Sequence, residues 1–125
     1  MARILLLLAL LLGPLAGRAH ESAPVTSPRA TVMLLAERSA IVPGQPFRLM
    51  LHQSLAPGWH TYWHNAGDAG APPEVTFEWP QEGWQAGDLQ FPAPSRIPSG
   101  PLMNFGYTGE ASFLLTVTPP ANLRP

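Results

Sequence analysis

The sequence lacks both cysteine and lysine, and only 12% of its 125 residues are charged. Without cysteine the chain cannot form a disulfide, bind a metal through thiolate or carry out thiol chemistry by itself. Its seven basic residues are all arginines, spread from Arg3 to Arg124, and eight acidic residues bring the net charge to -1. Because nucleic-acid binding requires a concentrated cationic surface, this distribution excludes a nucleic-acid partner. The length excludes more than one ordinary domain.

The first nineteen residues have the organisation of a secretory signal peptide. Residues 1–3 form a short cationic start, 4–12 are an unbroken apolar run, and Gly13 and Pro14 interrupt it. As a helix this run would extend about 14 Å, roughly half of the hydrocarbon core of a bilayer. Small residues occupy the positions that precede cleavage before His20. We therefore expect residues 1–19 to be a signal peptide and the mature protein to be exported.

Residues 20–29 are rich in proline, serine and threonine and show no periodicity, which predicts an extended leader. An ordered domain is expected over residues 30–125. Most of the strands predicted within it come from stretches with β-forming residues or with alternating apolar and polar residues, and the stretch at 88–91 is short and lies in a proline-rich region. The predicted strands are 30–36, 46–53, 59–64, 74–79, 88–91 and 111–118. The segment 74–79 is expected to be a half-exposed strand. Proline density over 80–101 excludes helix there.

Short strands separated by turn signals, without any helical period, favour an all-β fold. The architecture we predict is an immunoglobulin-like antiparallel β-sandwich. About six strands can be recognised, whereas such a sandwich has seven or more. The sequence therefore predicts a sandwich that is incomplete at its C-terminus.

The segment 59–64 contains three aromatic residues and two histidines. On a strand, Trp59, Thr61 and Trp63 would share one face, while the histidines would share the other face with Tyr62. The simplest interpretation is a strand that buries its tryptophans against the core.

A metal site is the alternative interpretation of the histidines. His52, His60 and His64, together with Met50 or Met103, are a ligand set that would suit copper. The spacing argues against it, because positions 60 and 64 of an extended strand are about 13 Å apart. These histidines are therefore weak candidates, and neither a metal nor a cofactor is predicted.

No arrangement typical of a hydrolytic site is present. The carboxylates and histidines have no characteristic spacing, and no serine or threonine lies in a nucleophile-elbow pattern. Asp68 is better interpreted as part of a turn with Asn65, Gly67 and Gly70. The sequence predicts no catalytic residue.

Several longer strings are similar to a known family. They are PGQPF at 43–47, LAPGWHTYW at 55–63, NAGDAG at 65–70, FPAPSR at 91–96 and GYTGE at 106–110. Together they resemble the N-terminal domain of the DsbD family of periplasmic thiol:disulfide interchange proteins, particularly its ScsB-like branch. The resemblance covers residues 30–120. Two positions depart from it: His64 stands where the family usually has arginine, and Ala66 where it usually has proline.

The resemblance implies an immunoglobulin-like domain on the periplasmic side of a membrane reductase. Its partners would be the transmembrane reductase domain, which supplies electrons, and periplasmic thioredoxin-like proteins, which receive them. It also implies links to cytochrome c-type biogenesis and copper tolerance. The family's chemistry resides in a cysteine pair that follows a glycine-tyrosine hairpin, in a region beyond residue 125, so any membrane association would come through that missing C-terminal part.

Thiol–disulfide exchange requires a thiolate, so no catalytic residue carries over to this chain. The residues that carry over form a scaffold: Trp59, His60, Tyr62, Trp63, Asn65, Gly67, Asp68, Gly70, Gly106, Tyr107 and Gly109. We therefore expect a domain of a thiol:disulfide interchange system that is not catalytic by itself. Two alternatives remain: an exported binding or chaperone-like module without redox function, and a periplasmic protein that binds copper through histidine and methionine.

Overall fold

The computed structural model describes residues 20–125, so the predicted signal peptide lies outside the described residues. This part of the chain contains nine strands and holds no helix with the length and apolarity that a membrane crossing requires. The strands are β1 (His20–Glu21), β2 (Val25–Thr26), β3 (Ala30–Ala36), β4 (Phe47–Leu55), β5 (His60–Gly67), β6 (Gln85–Ala86), β7 (Ser95–Ser99), β8 (Leu102–Thr108) and β9 (Glu110–Thr118).

Two antiparallel sheets make up the fold. The larger sheet has the order β1-β3-β4-β9-β6, with β2 also paired to β3, and the smaller has the order β5-β8-β7. In the larger sheet β3 pairs with β4 along the whole of β3, from Ala30↔Leu55 to Ala36↔Leu49, and β4 pairs with β9 from Phe47↔Val117 to Ser54↔Glu110. This arrangement confirms the predicted all-β antiparallel sandwich.

The core is built mainly on the two central strands of the larger sheet. Phe47 and Leu51 of β4 are buried together with Phe113, Leu115 and Val117 of β9. Buried residues alternate with more exposed ones along β9, as the alternation of its sequence predicts. The core therefore lies on the inner face of the larger sheet.

The structure corrects the prediction for residues 74–79. Val75, Phe77 and Trp79 are half-buried and pack on the core, while Glu74, Thr76 and Glu78 are exposed. The segment nevertheless pairs with no strand of the described chain. The predicted alternation of buried and exposed side chains is present, but the predicted strand is wrong. The alternation of apolar and polar residues indicates which side chains are buried and does not indicate whether the backbone is paired.

The turn at residues 108–109 is not a hairpin. β8 belongs to the smaller sheet and β9 to the larger, so the chain changes sheets at Gly109, which has a φ of 75°. The Gly109 carbonyl accepts a hydrogen bond from the Leu55 amide at 2.6 Å. The expected glycine-tyrosine hairpin is therefore replaced by a crossover between sheets.

Two smaller predictions also differ from the structure. Residues 20–29 were expected to precede the ordered part, but β1 and β2 pair with β3. The strand expected at 88–91 is reduced to one bridge, Gln90↔Leu114, and β6 lies two residues before it. In both places the strand that pairs with a longer one is only one or two residues long. Such a short strand has no alternation of residues by which the sequence could reveal it.

Candidate functional site

The aromatic segment lies at an edge of the smaller sheet. β5 pairs only with β8, through His60↔Thr108, Thr61↔Tyr107 and Tyr62↔Gly106. Gly106 is required there, because a Cβ atom would collide with the backbone carbonyl of Thr61. The glycine therefore allows the two strands to approach closely.

His60 and Tyr62 form a pair on one face of β5. His60 Nε2 and Tyr62 Oη are 3.0 Å apart, within hydrogen-bonding distance, and the two rings meet edge to face with centroids 5.0 Å apart. The Tyr62 ring lies directly over Gly70, whose φ of 101° and missing Cβ make this contact feasible. His60, Tyr62 and Gly70 therefore form one packed unit.

The end of β5 and the turn that follows it are tied to β8 by backbone and side-chain hydrogen bonds. Asp68 Oδ2 accepts a hydrogen bond from the Met103 amide at 2.7 Å, and the Asp68 amide donates to the Met103 carbonyl at 3.0 Å. Asn104 Oδ1 accepts from the Ala69 amide at 3.0 Å, and Asn65 Oδ1 accepts from the Gly67 amide at 3.2 Å. Residues 65–70 and β8 together form a hydrogen-bonded frame, which we call the turn frame (residues 65–70 with 103–104). The turn predicted for Asn65 and Gly67 is corrected here, because both residues lie at the irregular end of β5.

Asn104 is a member of this frame that the sequence analysis missed. It is the buried polar residue of the described core, at 3% exposure, and its side chain caps a backbone amide 35 residues away in sequence. A lone asparagine between two apolar residues of a strand gives no local signal for such a contact. Only the pairing of β5 with β8 brings the two together.

The two tryptophans of the segment have different environments. Trp63 packs on the core cluster, with its ring centroid 6.5 Å from that of Phe105. Trp59 is 45% exposed, and the guanidinium of Arg29 lies 4.8 Å from its ring centroid. The expectation that both would be buried is wrong for Trp59, which precedes β5 and belongs to the turn that starts at Ala56.

A groove adjoins Trp59 and the His60–Tyr62 pair. It has a volume of about 500 Å³ and is lined by Arg29 and Gln53 as well as by the aromatic rings. Gln53 Oε1 is buried without a hydrogen-bond partner in the described chain. The groove thus offers aromatic surface and one cation.

Tyr107 connects β8 to the proline-rich segment. Its hydroxyl donates a hydrogen bond to the Pro92 carbonyl at 2.7 Å, and its ring meets that of Phe113 edge to face at 5.4 Å. Burial raises the pKa of the Tyr107 phenol above its ordinary value. The side chain therefore anchors the segment that precedes β7.

The three candidate histidines have separate surroundings. His52 Nδ1 lies 2.8 Å from Ser112 Oγ on the larger sheet, whereas His60 contacts Tyr62 and His64 packs against Trp63 and Phe91. Met50 and Met103 lie on different sheets. Across residues 20–125 no three histidine, aspartate or glutamate side chains are grouped as a metal ion would require.

Two comparisons identify relatives of this chain. The family described as "Thiol:disulfide interchange protein DsbD, N-terminal" matches residues 31–124. The crystal structure of the N-terminal periplasmic domain of ScsB from Proteus mirabilis is similar with a TM-score of 0.61 and 26% sequence identity. That match covers 81% of this chain and 40% of the ScsB chain, so this chain spans less than half of the relative.

A search of curated proteins found no match. The family match nevertheless covers most of the sequence, including the aromatic segment, the turn frame and the crossover at Gly109. The ScsB domain supplies an independent likeness of the fold. The chain belongs to the DsbD N-terminal domain family.

Proposed function

We propose that this chain is a periplasmic domain of a DsbD/ScsB-like thiol:disulfide interchange system, and that it binds and positions redox partners without exchanging thiols itself. Family membership and the similarity to a periplasmic domain of ScsB support this assignment. Thiol–disulfide exchange proceeds by attack of a thiolate on a disulfide, and the sequence contains no cysteine. Its contribution is therefore non-covalent.

The observation that carries the proposal is the exposed Trp59 beside the groove. Large aromatic residues are enriched among the few side chains that dominate the binding energy of interfaces. The Arg29 guanidinium over its ring restricts the side chain before any partner arrives, which lowers the entropic cost of binding. The neighbouring His60–Tyr62 pair supplies polar groups at the same place.

The partners that fit this assignment are a periplasmic thioredoxin-like protein and the transmembrane domain of the reductase. Both are proposed from the family, since interchange systems pass electrons from a membrane domain to periplasmic proteins. A thioredoxin-like protein is the more accessible of the two for a binding experiment.

The test is to measure binding of the purified chain to an immobilised periplasmic thioredoxin-like protein by interferometry. We expect Trp59→Ala to weaken binding by about tenfold or more, as truncation of an interface anchor does. Leu102→Ala is the matched control, since Leu102 is another large exposed apolar side chain, at 42% exposure, and does not line the groove. Absence of binding, or equal losses in the two variants, would contradict the proposal.

A further inference from the structure

A second cleft, separate from the groove at Trp59, lies between two extended parts of the chain. It has a volume of about 480 Å³, with residues 72–77 on one side, residues 86–89 on the other and Leu115 of the core among its lining residues. The second side is the edge of the larger sheet, where the amides of Gly87 and Gln90 donate to the carbonyls of Thr116 and Leu114. One side of the cleft is therefore already part of a sheet.

On the opposite side, residues 74–79 alternate between exposed and half-buried as a strand does, but they have none of its pairing. Between residues 70 and 80 the described chain makes no backbone–backbone hydrogen bond. The segment is held instead by side chains: Phe77 stacks on Trp79, and Trp79 on Trp84, with ring centroids 4.6 and 5.1 Å apart and nearly parallel planes. We call residues 74–79 the unpaired segment.

Unpaired backbone groups along an extended segment are a template for another strand. Because stacked side chains fix the unpaired segment, little conformational entropy remains to be lost when a strand pairs with it. Strand addition of this kind is a recurring mode of peptide recognition, in which backbone hydrogen bonds give affinity and alternate side chains give specificity.

We propose that this cleft accepts an extended segment of a partner polypeptide, which adds a strand along residues 74–79 with apolar side chains inward and basic side chains outward. The inward preference follows from Val75, Leu89 and Leu115, which line the cleft. The outward preference follows from Glu74, Glu78 and Asp88, which are exposed around it.

The local charge explains why the partner is basic and why it is not a second copy of this chain. No arginine or lysine occurs between Arg48 and Arg96, so no cation of the intervening sequence neutralises these carboxylates. If two copies paired antiparallel about Thr76, Glu74 of one would lie opposite Glu78 of the other. Like charges directly opposite each other destabilise a strand pair, whereas opposite charges stabilise it.

The experiment uses a synthetic octapeptide in which lysine alternates with valine, added to the purified chain. We expect hydrogen exchange to show protection of alternate amides within residues 74–79, and calorimetry to show saturable binding. An octapeptide of alternating glutamate and valine should bind about tenfold more weakly or less, because it places like charges opposite the carboxylates. Methylation of alternate backbone nitrogens of the lysine peptide should abolish the protection, because it removes the donors that strand addition needs.

Charge reversal in the protein supplies the decisive comparison. The double variant Glu74→Lys/Glu78→Lys should reverse the preference in favour of the glutamate peptide, whereas Glu110→Lys, on an exposed residue that does not line the cleft, should leave it unchanged. Equal binding of the methylated and unmethylated lysine peptides would overturn the proposal. Protection of amides outside residues 74–79 would overturn it as well. If the amides of residues 74–79 become more protected as the protein concentration rises in the absence of peptide, a second copy of the chain occupies the cleft. That result would also overturn the proposal. Because the readout does not involve Trp59 or a redox protein, its outcome is independent of the proposed function.

Discussion

The turn frame and the unpaired segment are neighbours in sequence, yet they satisfy their backbone groups in opposite ways. In the turn frame Asn65, Asp68 and Asn104 accept hydrogen bonds from backbone amides, and the turn is fixed to β8. A few residues later, the unpaired segment is fixed by stacked aromatic rings and leaves its backbone unbonded. Order in this domain therefore arises from hydrogen bonding at one place and from side-chain packing alone at the next.

The strongest test of this contrast compares proline at two exposed threonines. Thr116 lies on β9, which is paired on both sides, whereas Thr76 lies in the unpaired segment. Because proline fixes φ at about −65° and is not tolerated in a central strand, Thr116→Pro should lower the free energy of unfolding by about 2–3 kcal/mol. Thr76→Pro should change it by less than about 1 kcal/mol. Urea denaturation measures both, and similar losses would show that residues 74–79 are paired in solution.

The next test concerns close backbone approach within the paired region. Gly106→Ala would place a methyl group against the Thr61 carbonyl, and we expect a loss of about 2–3 kcal/mol from this overpacking. Gly87→Ala is the matched control, since its Cβ would meet the Thr116 carbonyl at an ordinary 3.6 Å. We expect its unfolding free energy to stay within about 1 kcal/mol of the parent. Equal stabilities of the two variants in thermal denaturation would refute the close packing of β5 on β8.

Removal of one hydrogen bond from the turn frame should have a smaller effect. Asp68→Ala leaves the Met103 amide without its acceptor and should cost about 1–2 kcal/mol, the usual loss for a charge-assisted bond. Asp88→Ala, at an exposed carboxylate of the cleft, should be close to neutral. Chemical denaturation of the two variants, combined with the exchange rate of the Met103 amide, measures the difference.

The smallest effect is expected from the titration of Tyr107. Burial raises its pKa above the ordinary value of 10.0, so the unfolded state loses its proton first as the pH rises. The folded state then binds more protons than the unfolded state, and stability falls between pH 10 and the folded pKa. Tyr107→Phe should remove this part of the decline. Urea midpoints at pH 9 and pH 11 for both proteins measure it, and parallel declines would contradict the assignment.

Features governed by local side-chain periodicity could be predicted from the sequence. The alternation of β4 and β9 and the all-β class are of this kind, and the structure confirms them. Asp68 follows β5 as the turn prediction required, whereas Asn65 lies within β5. Backbone partners could not be predicted in the same way. The missing pairing of residues 74–79 and the burial of Asn104 depend on where distant strands lie, and neither has a local signature.

The roles assigned to the scaffold residues by family resemblance stay predictions. The structure shows how Tyr62, Gly70 and Gly106 pack together, which gives a physical reason for those residue types at those positions. The Trp59→Ala variant tests whether partners bind the groove beside these residues.

The crossover at Gly109 has a mechanical consequence. This one residue joins β8 of the smaller sheet to β9 of the larger, so the two sheets are covalently connected at that point by a single residue. Such a short connection makes the docking of one sheet on the other an intramolecular event with a small loss of chain entropy. A force that pulls the sheets apart would therefore act directly on the central strand β9. The sheets would stay joined at residue 109 and separate first at the ends far from it.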